Sequence, residues 1–139
     1  MIIERDVIEH IIAHAEKEAP IEACGYLAGV GGRVTRHYPM TNAEGREDHY
    51  SFDPMEQFAA HKAVRQEGLE IVGAYHSHPA TPARPSAEDI RLAHDPTIIY
   101  VIISLLDGQR NVKAFRMKEG EAEEEILIVK EKPYESSRI

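Results

Sequence analysis

Nine consecutive residues, Ile98 to Leu106, are apolar except for Ser104. The run falls far short of the roughly 20 residues that a membrane-spanning helix requires. It reads as a strand, the most buried of the chain, and such a strand needs other strands beside it and apolar cover over it. The rest of the pattern supplies both. Val7, Ile8, Ile11, Ile12 and Ala15 recur at helical spacing between Asp6, a capping residue, and Glu18, with Pro20 as a stop. Gly25–Val30 and Val34–Tyr38 flank Gly31-Gly32 and predict a hairpin. Thr41–Asp48, with Asn42 and Gly45, is a polar loop. Asp53-Pro54 opens a second helix, carrying Met55, Phe58 and Val64, that ends near Gly68. Glu70–Ser77 is a strand. Pro79, Pro82 and Pro85 then impose a stiff loop before a short helix near Ser86. After the long apolar run, Asp107-Gly108 turns the chain, Asn111–Met117 pairs back, and Ile126–Val129 forms a last strand. This order predicts one α/β (α+β) domain over residues 1–130, a mixed central β-sheet flanked by helices. Residues 131–139 are expected to be a flexible tail.

The chemistry is concentrated in Tyr75-His76-Ser77-His78-Pro79 and Ser86-Ala87-Glu88-Asp89. Strand residues two apart face the same way, roughly 7 Å apart along the chain. His76 and His78 therefore present two imidazoles to one point. Asp89, eleven residues beyond His78, falls in the first turn of the short helix, from which it can return to that point. Two histidines and one carboxylate make the three-ligand set of a catalytic zinc site whose fourth position holds water, whereas structural sites close with four protein ligands. A hydrolytic water needs a base. Glu22, between the break at Pro20 and a buried strand, is the best candidate. Taken alone, Ser86-Ala87-Glu88-Asp89 is a helix start, a serine cap followed three residues later by an acid. The two readings are compatible, because the cap fixes the turn that aims Asp89.

Together, Glu22, His76-Ser77-His78-Pro79 and Ser86-Ala87-Glu88-Asp89 resemble the JAMM motif of the MPN-plus metalloproteases, with Glu22 inside Glu-Ala-Cys-Gly-Tyr-Leu-Ala-Gly. The order of elements is similar over about residues 1 to 130, and the length resembles that of the stand-alone prokaryotic members. The resemblance implies the MPN/JAMM fold, whose layout is related to that of cytidine deaminases, and one Zn2+ per chain bound by His76, His78 and Asp89. It implies Glu22 as general acid/base and Ser86 as a group that helps hold the oxyanion of the tetrahedral intermediate. It further implies a peptidase or isopeptidase acting just after the Gly-Gly tail of a small ubiquitin-like or sulfur-carrier protein. The Thr41–Tyr50 loop lies where family members flank the groove. An extended tail could add there as a strand, with main-chain hydrogen bonds for affinity and a channel that only glycine fits.

Other readings carry less. Sixteen Lys and Arg stand against 24 Asp and Glu, a net charge of −8. That disfavours nucleic acid, whose binding requires clustered cations, and anionic membranes. With a single cysteine, Cys24, neither an internal disulfide nor a multi-thiolate zinc site is possible. Cys24 itself reads as a small buried hydrophobe, with a fourth metal ligand or an oxidation-sensitive switch as alternatives. No signal peptide is visible at the N-terminus, which makes a reducing cytoplasm the expected setting. His10 and His14 are four apart on a helix, but Ile11 stands where the zincin motif needs glutamate, so both are assigned to the helix surface. His37, His49, His61 and His94 show no evident partners. Glu121–Glu125 is expected to be a solvated turn. A deaminase needs Pro-Cys-x-x-Cys, which one cysteine cannot supply. The remaining rival is a non-catalytic MPN-fold interaction module, and metal content separates the two.

Overall fold

A computed structural model of the chain describes residues 1–133. Eight strands form one mixed sheet in the order β7-β6-β5-β4-β2-β3-β1-β8. In chain order these are β1 (Ile2–Glu4), β2 (Cys24–Val30), β3 (Arg33–Met40), β4 (Glu70–His78), β5 (Ile99–Ser104), β6 (Asn111–Lys118), β7 (Glu121–Glu125) and β8 (Ile128–Lys130). The helices are α1 (Arg5–Glu18), α2 (Pro54–Gln66) and α3 (Ala87–Leu92). The apolar run is β5, buried at every residue, parallel to β4 and antiparallel to β6. Leu105 and Leu106 leave the strand as the chain turns through a short 3-10 segment at Leu106–Gly108.

Local chemistry explains most boundaries. Gly31 and Gly32 take φ of 64° and 78°, a region open to glycine, and so close the β2–β3 hairpin. Asp53 caps α2, its Oδ1 accepting from the Met55 N–H at 2.8 Å, with Pro54 in the first turn. Gly25 has no room for a side chain. A Cβ there would meet the Tyr38 carbonyl oxygen and the Tyr75 ring at 2.5 Å.

The structure corrects three expectations about the elements. Strand β1, paired in parallel with β3 and β8, is only three residues long, too short to show a period. It runs straight into α1, so Asp6 lies inside the first turn and Glu4 takes the cap position without a side-chain cap. The Glu4 carboxylate accepts instead from Arg33 Nε at 3.0 Å. Glu121–Glu125 is not a turn but strand β7, antiparallel to β6. Its residues are mostly exposed, so glutamates carry no desolvation cost there, and charged side chains suit a sheet edge. The last strand, expected from Ile126, begins at Ile128. Of the expected tail 131–139, residues 134–139 lie outside the described residues. The carbonyl of Glu131, at its start, accepts from Arg33 Nη2 at 2.8 Å. Among the described residues no helix is long and apolar enough to cross a membrane.

Candidate metal centre

The site forms where β4 ends. Because β2 runs antiparallel to β4, with Cys24 opposite His76, the segment just before β2 is brought to the same end of the sheet. The linkage is polar as well. The Ala23 N–H donates to Ser77 Oγ at 2.8 Å, and the Ser77 N–H donates to the Ala23 carbonyl at 3.0 Å. Glu22 is thereby held next to the strand that carries both histidines.

His76 and His78 are 1% and 4% exposed. Their Nε2 atoms lie 3.2 Å apart, and Asp89 Oδ2 is 3.1 Å from the first and 3.0 Å from the second. Among the described residues, this is the group of His, Cys, Asp or Glu side chains whose donor atoms converge closely enough to hold a metal ion. The spacing is close to the roughly 3.3 Å that tetrahedral bonds of about 2.0–2.1 Å impose on neighbouring donors. The outer contacts suit such a role, since ligating histidines are oriented by the bond their other nitrogen makes. His78 Nδ1 donates to the Pro82 carbonyl at 2.9 Å, leaving Nε2 to face the centre. The proline loop is itself held by Ser104 Oγ, which donates to the Thr81 carbonyl.

Ser86 closes a capping box. Its Oγ accepts from the Asp89 N–H at 3.0 Å, and its own N–H donates to Asp89 Oδ2 at 2.9 Å. The bland reading of this segment is therefore present, and it is also what aims Asp89. The Ser86 hydroxyl proton stays available, because in the cap Oγ only accepts.

Electrostatics follow from burial. Glu22 is 4% exposed and its Oε1 has no hydrogen-bond partner. Burial pushes its pKa up to about 8; the charge of His78 opposes this, while Asp89, Asp48 and Glu88 add to it. Asp89 behaves in the opposite way. Burial favours its neutral form, but hydrogen bonds from His76 and His78 outweigh that and hold it far below the usual carboxylate range. Burial lowers His76. It also acts against charge on His78, but the Asp89 and Pro82 hydrogen bonds prevail and the net shift is upward. Cys24 is fully buried, its Sγ 4.0 Å from the Met40 carbonyl oxygen. Burial, with Glu56, Glu22 and Glu18 around it, pushes the thiol up to about 12. A protonated, enclosed thiol outside the convergent group behaves as the small core residue expected of it.

Several neighbours had no role in the sequence reading. Tyr50 stacks on the His76 ring at 4.7 Å and 24°; an aromatic in a polar loop was the available signal. His49 has partners after all, Glu44 Oε2 at 2.7 Å through Nε2 and the Glu88 carboxylate through Nδ1. His10 is on the helix surface as expected, stacked on His37 at 5.3 Å. His14 is half-buried, its Nδ1 2.8 Å from the Tyr75 hydroxyl. Beside His76 and Asp89, a cavity of about 550 Å³ opens between the sheet, α2 and the 49–52 segment, lined by Tyr26, Phe52, His61 and Tyr100 among others.

Fold and donor set together define a metallopeptidase domain of JAMM type. Residues 4–118 match the family described as prokaryotic homologs of the JAB domain, and the chain belongs to that family. It is 40% identical over 134 residues to the CysO-cysteine peptidase of Mycobacterium tuberculosis, covering 94% of this chain and 92% of that one. It is 37% identical over 130 residues to a probable TtuB-protein conjugate cleaving protease of Thermus thermophilus, covering 93% and 82%. A protein of Desulfitobacterium hafniense solved in solution superposes with a TM-score of 0.86 at 45% identity, covering 95% and 94% of the two chains.

Proposed function

We propose that this chain is a zinc-dependent peptidase or isopeptidase that hydrolyses the bond after the Gly-Gly tail of a small ubiquitin-like or sulfur-carrier protein. The observation that carries the reading is the convergence of His76 Nε2, His78 Nε2 and Asp89 Oδ2 within 3.2 Å, at the end of the sheet where Glu22 is buried with its Oε1 unpartnered. The substrate class is supported by the relatives, whose names describe cleavage of CysO-cysteine and of TtuB-protein conjugates. A cytoplasmic setting goes with such substrates.

In this reading His76, His78 and Asp89 hold the zinc. A zinc ion bound there supplies a water of lowered pKa and polarises the scissile carbonyl. Glu22 takes a proton from the attacking water and returns it to the departing nitrogen. Ser86 Oγ–H donates to the carbonyl oxygen as charge develops on it. His49, Tyr50, Ser51 and Phe52 line the cavity beside His76 and Asp89, where an extended tail would approach.

The test is zinc stoichiometry, with turnover of a panel of Gly-Gly-extended substrates, for wild type, His78→Ala and Glu22→Gln. Near one zinc is expected in wild type and Glu22→Gln and little in His78→Ala. Turnover in Glu22→Gln should fall by about 10²–10⁴-fold, the range of acid–base catalysis. No zinc in any of the three, even after it is added back, overturns the hydrolase and leaves the interaction module.

A further inference from the structure

The side chain of Glu22 is buried and its Oε1 has no partner, so no hydrogen bond at that oxygen fixes where it points. Its position is set through the main chain. On the β4 side, Ser77 bonds both polar groups of Ala23. On the other side, the Glu22 N–H donates to the Arg46 carbonyl at 3.0 Å, and the Glu22 carbonyl accepts from Asn42 Nδ2 at 3.1 Å. The same Nδ2 donates to the His49 carbonyl at 2.9 Å and approaches the Arg46 carbonyl at 3.4 Å. Asn42 Oδ1 accepts from the N–H groups of Glu44, at 3.1 Å, and Ser51, at 3.4 Å. One amide thus uses both donors and its acceptor to join the two limbs of the 42–51 loop to each other and to Glu22.

We propose that Asn42 is a positioning residue for Glu22, the node through which the loop beside the site sets the placement of the proton-transferring carboxyl. The inference rests on the role of Glu22 proposed above. Proton transfer demands hydrogen-bond reach, and a misplacement of about 1 Å can cost on the order of a hundredfold in rate. The bonds of the Asn42 side chain go to Glu22 and to the loop, not to the three converging donor atoms.

The control is Glu56, whose carboxylate accepts from the Thr41 N–H at 2.7 Å and the Thr41 hydroxyl at 2.8 Å. It anchors the entrance of the same loop to α2 without bonding Glu22. Kinetics, zinc content and thermal unfolding are compared for wild type, Asn42→Ala and Glu56→Ala. Asn42→Ala should lower kcat by about ten- to hundredfold, with KM little changed and zinc still near one per chain. Glu56→Ala should keep kcat within about twofold of wild type, since the node is intact. Equal kcat losses in both variants overturn the proposal, because they report general loosening of the loop. So does a loss in Asn42→Ala that tracks zinc content or falls on KM alone. If Asn42→Ala does not fold, Asn42→Ser, which keeps a shorter hydroxyl donor, should give a smaller kcat loss of the same kind, and a wild-type kcat there overturns the proposal. Absence of Glu22-dependent turnover in wild type removes the reading underneath, whereas normal turnover with an unchanged Asn42→Ala kcat overturns this inference alone.

Discussion

The α1 side of the sheet is closed by aliphatic side chains. Leu27, Val34, Val101 and Ile103 meet Ile3 and Ile11 there, all with no exposure, and Tyr75 joins them. The other side is built from Cys24, Tyr26, Met40, Ala74, Tyr100, Phe115 and Met117, a mixture of small, sulfur-bearing and aromatic groups around the 550 Å³ cavity. His76 and Asp89 line that cavity. The contrast separates two tasks. A dry aliphatic layer gains most per area removed from water, whereas a hydrolytic site must admit water and substrate and so cannot be filled.

The sharpest way to break this comparison is a double dissociation. His76→Ala should abolish zinc binding and bring turnover to background, while costing the metal-free protein less stability than Ile11→Ala does, since burial of an imidazole with an unpartnered Nδ1 offsets part of what its packing contributes. Ile11→Ala should do the reverse, costing about 2–5 kcal/mol of stability while the folded fraction keeps its zinc and its kcat. Denaturant unfolding beside metal analysis checks both. A His76→Ala protein as destabilised as Ile11→Ala would mean that the two faces are not separate.

A smaller effect concerns pH. Burial raises Glu22 from its ordinary 4.5 to about 8, so between those values the folded chain holds a proton that the unfolded chain has released. Stability then falls as pH rises through that window. In metal-free protein, Glu22→Gln should therefore gain on wild type from about pH 4.5 to 8, as read by urea unfolding at several pH values. A constant difference would show that the carboxyl is not held neutral by burial. The smallest effect is expected at the sheet edge. There Arg116 Nε donates to Glu125 Oε1 at 2.7 Å, with side chains 48% and 28% exposed. Arg116→Ala should cost less than about 1 kcal/mol, and a larger loss on thermal unfolding would make β7 part of the core.

Legibility from sequence follows the same division. Elements announced by strong local chemistry were readable: β5 by its unbroken apolar run, α2 by Asp53-Pro54, the hairpin by Gly31-Gly32 and α3 by Ser86 with Asp89. The donors His76 and His78 were readable because two residues on one strand share a face, and Asp89 because the capping box limits where it can point. β1 was not, since three residues carry no period, and β7 was not, since glutamate is neutral toward a solvated edge but depleted in strands generally. His14 was assigned to the surface because helical spacing does not reveal that Tyr75, 61 residues away, rises to meet it.

Local sequence, then, determined which residues could form helices and strands and which three side chains could meet at one point, because propensity, capping and strand alternation act over a few neighbours. The pairing of β2 with β4 was decided elsewhere. It places Cys24 opposite His76, brings Glu22 to the end of the sheet that carries the converging donors, and lets Ser77 and Asn42 clasp the segment around it from two sides. Those contacts join residues 20 or more apart in sequence, and the burial that raises Glu22 and the histidine hydrogen bonds that depress Asp89 exist only once the sheet, α3 and the 41–52 loop enclose them.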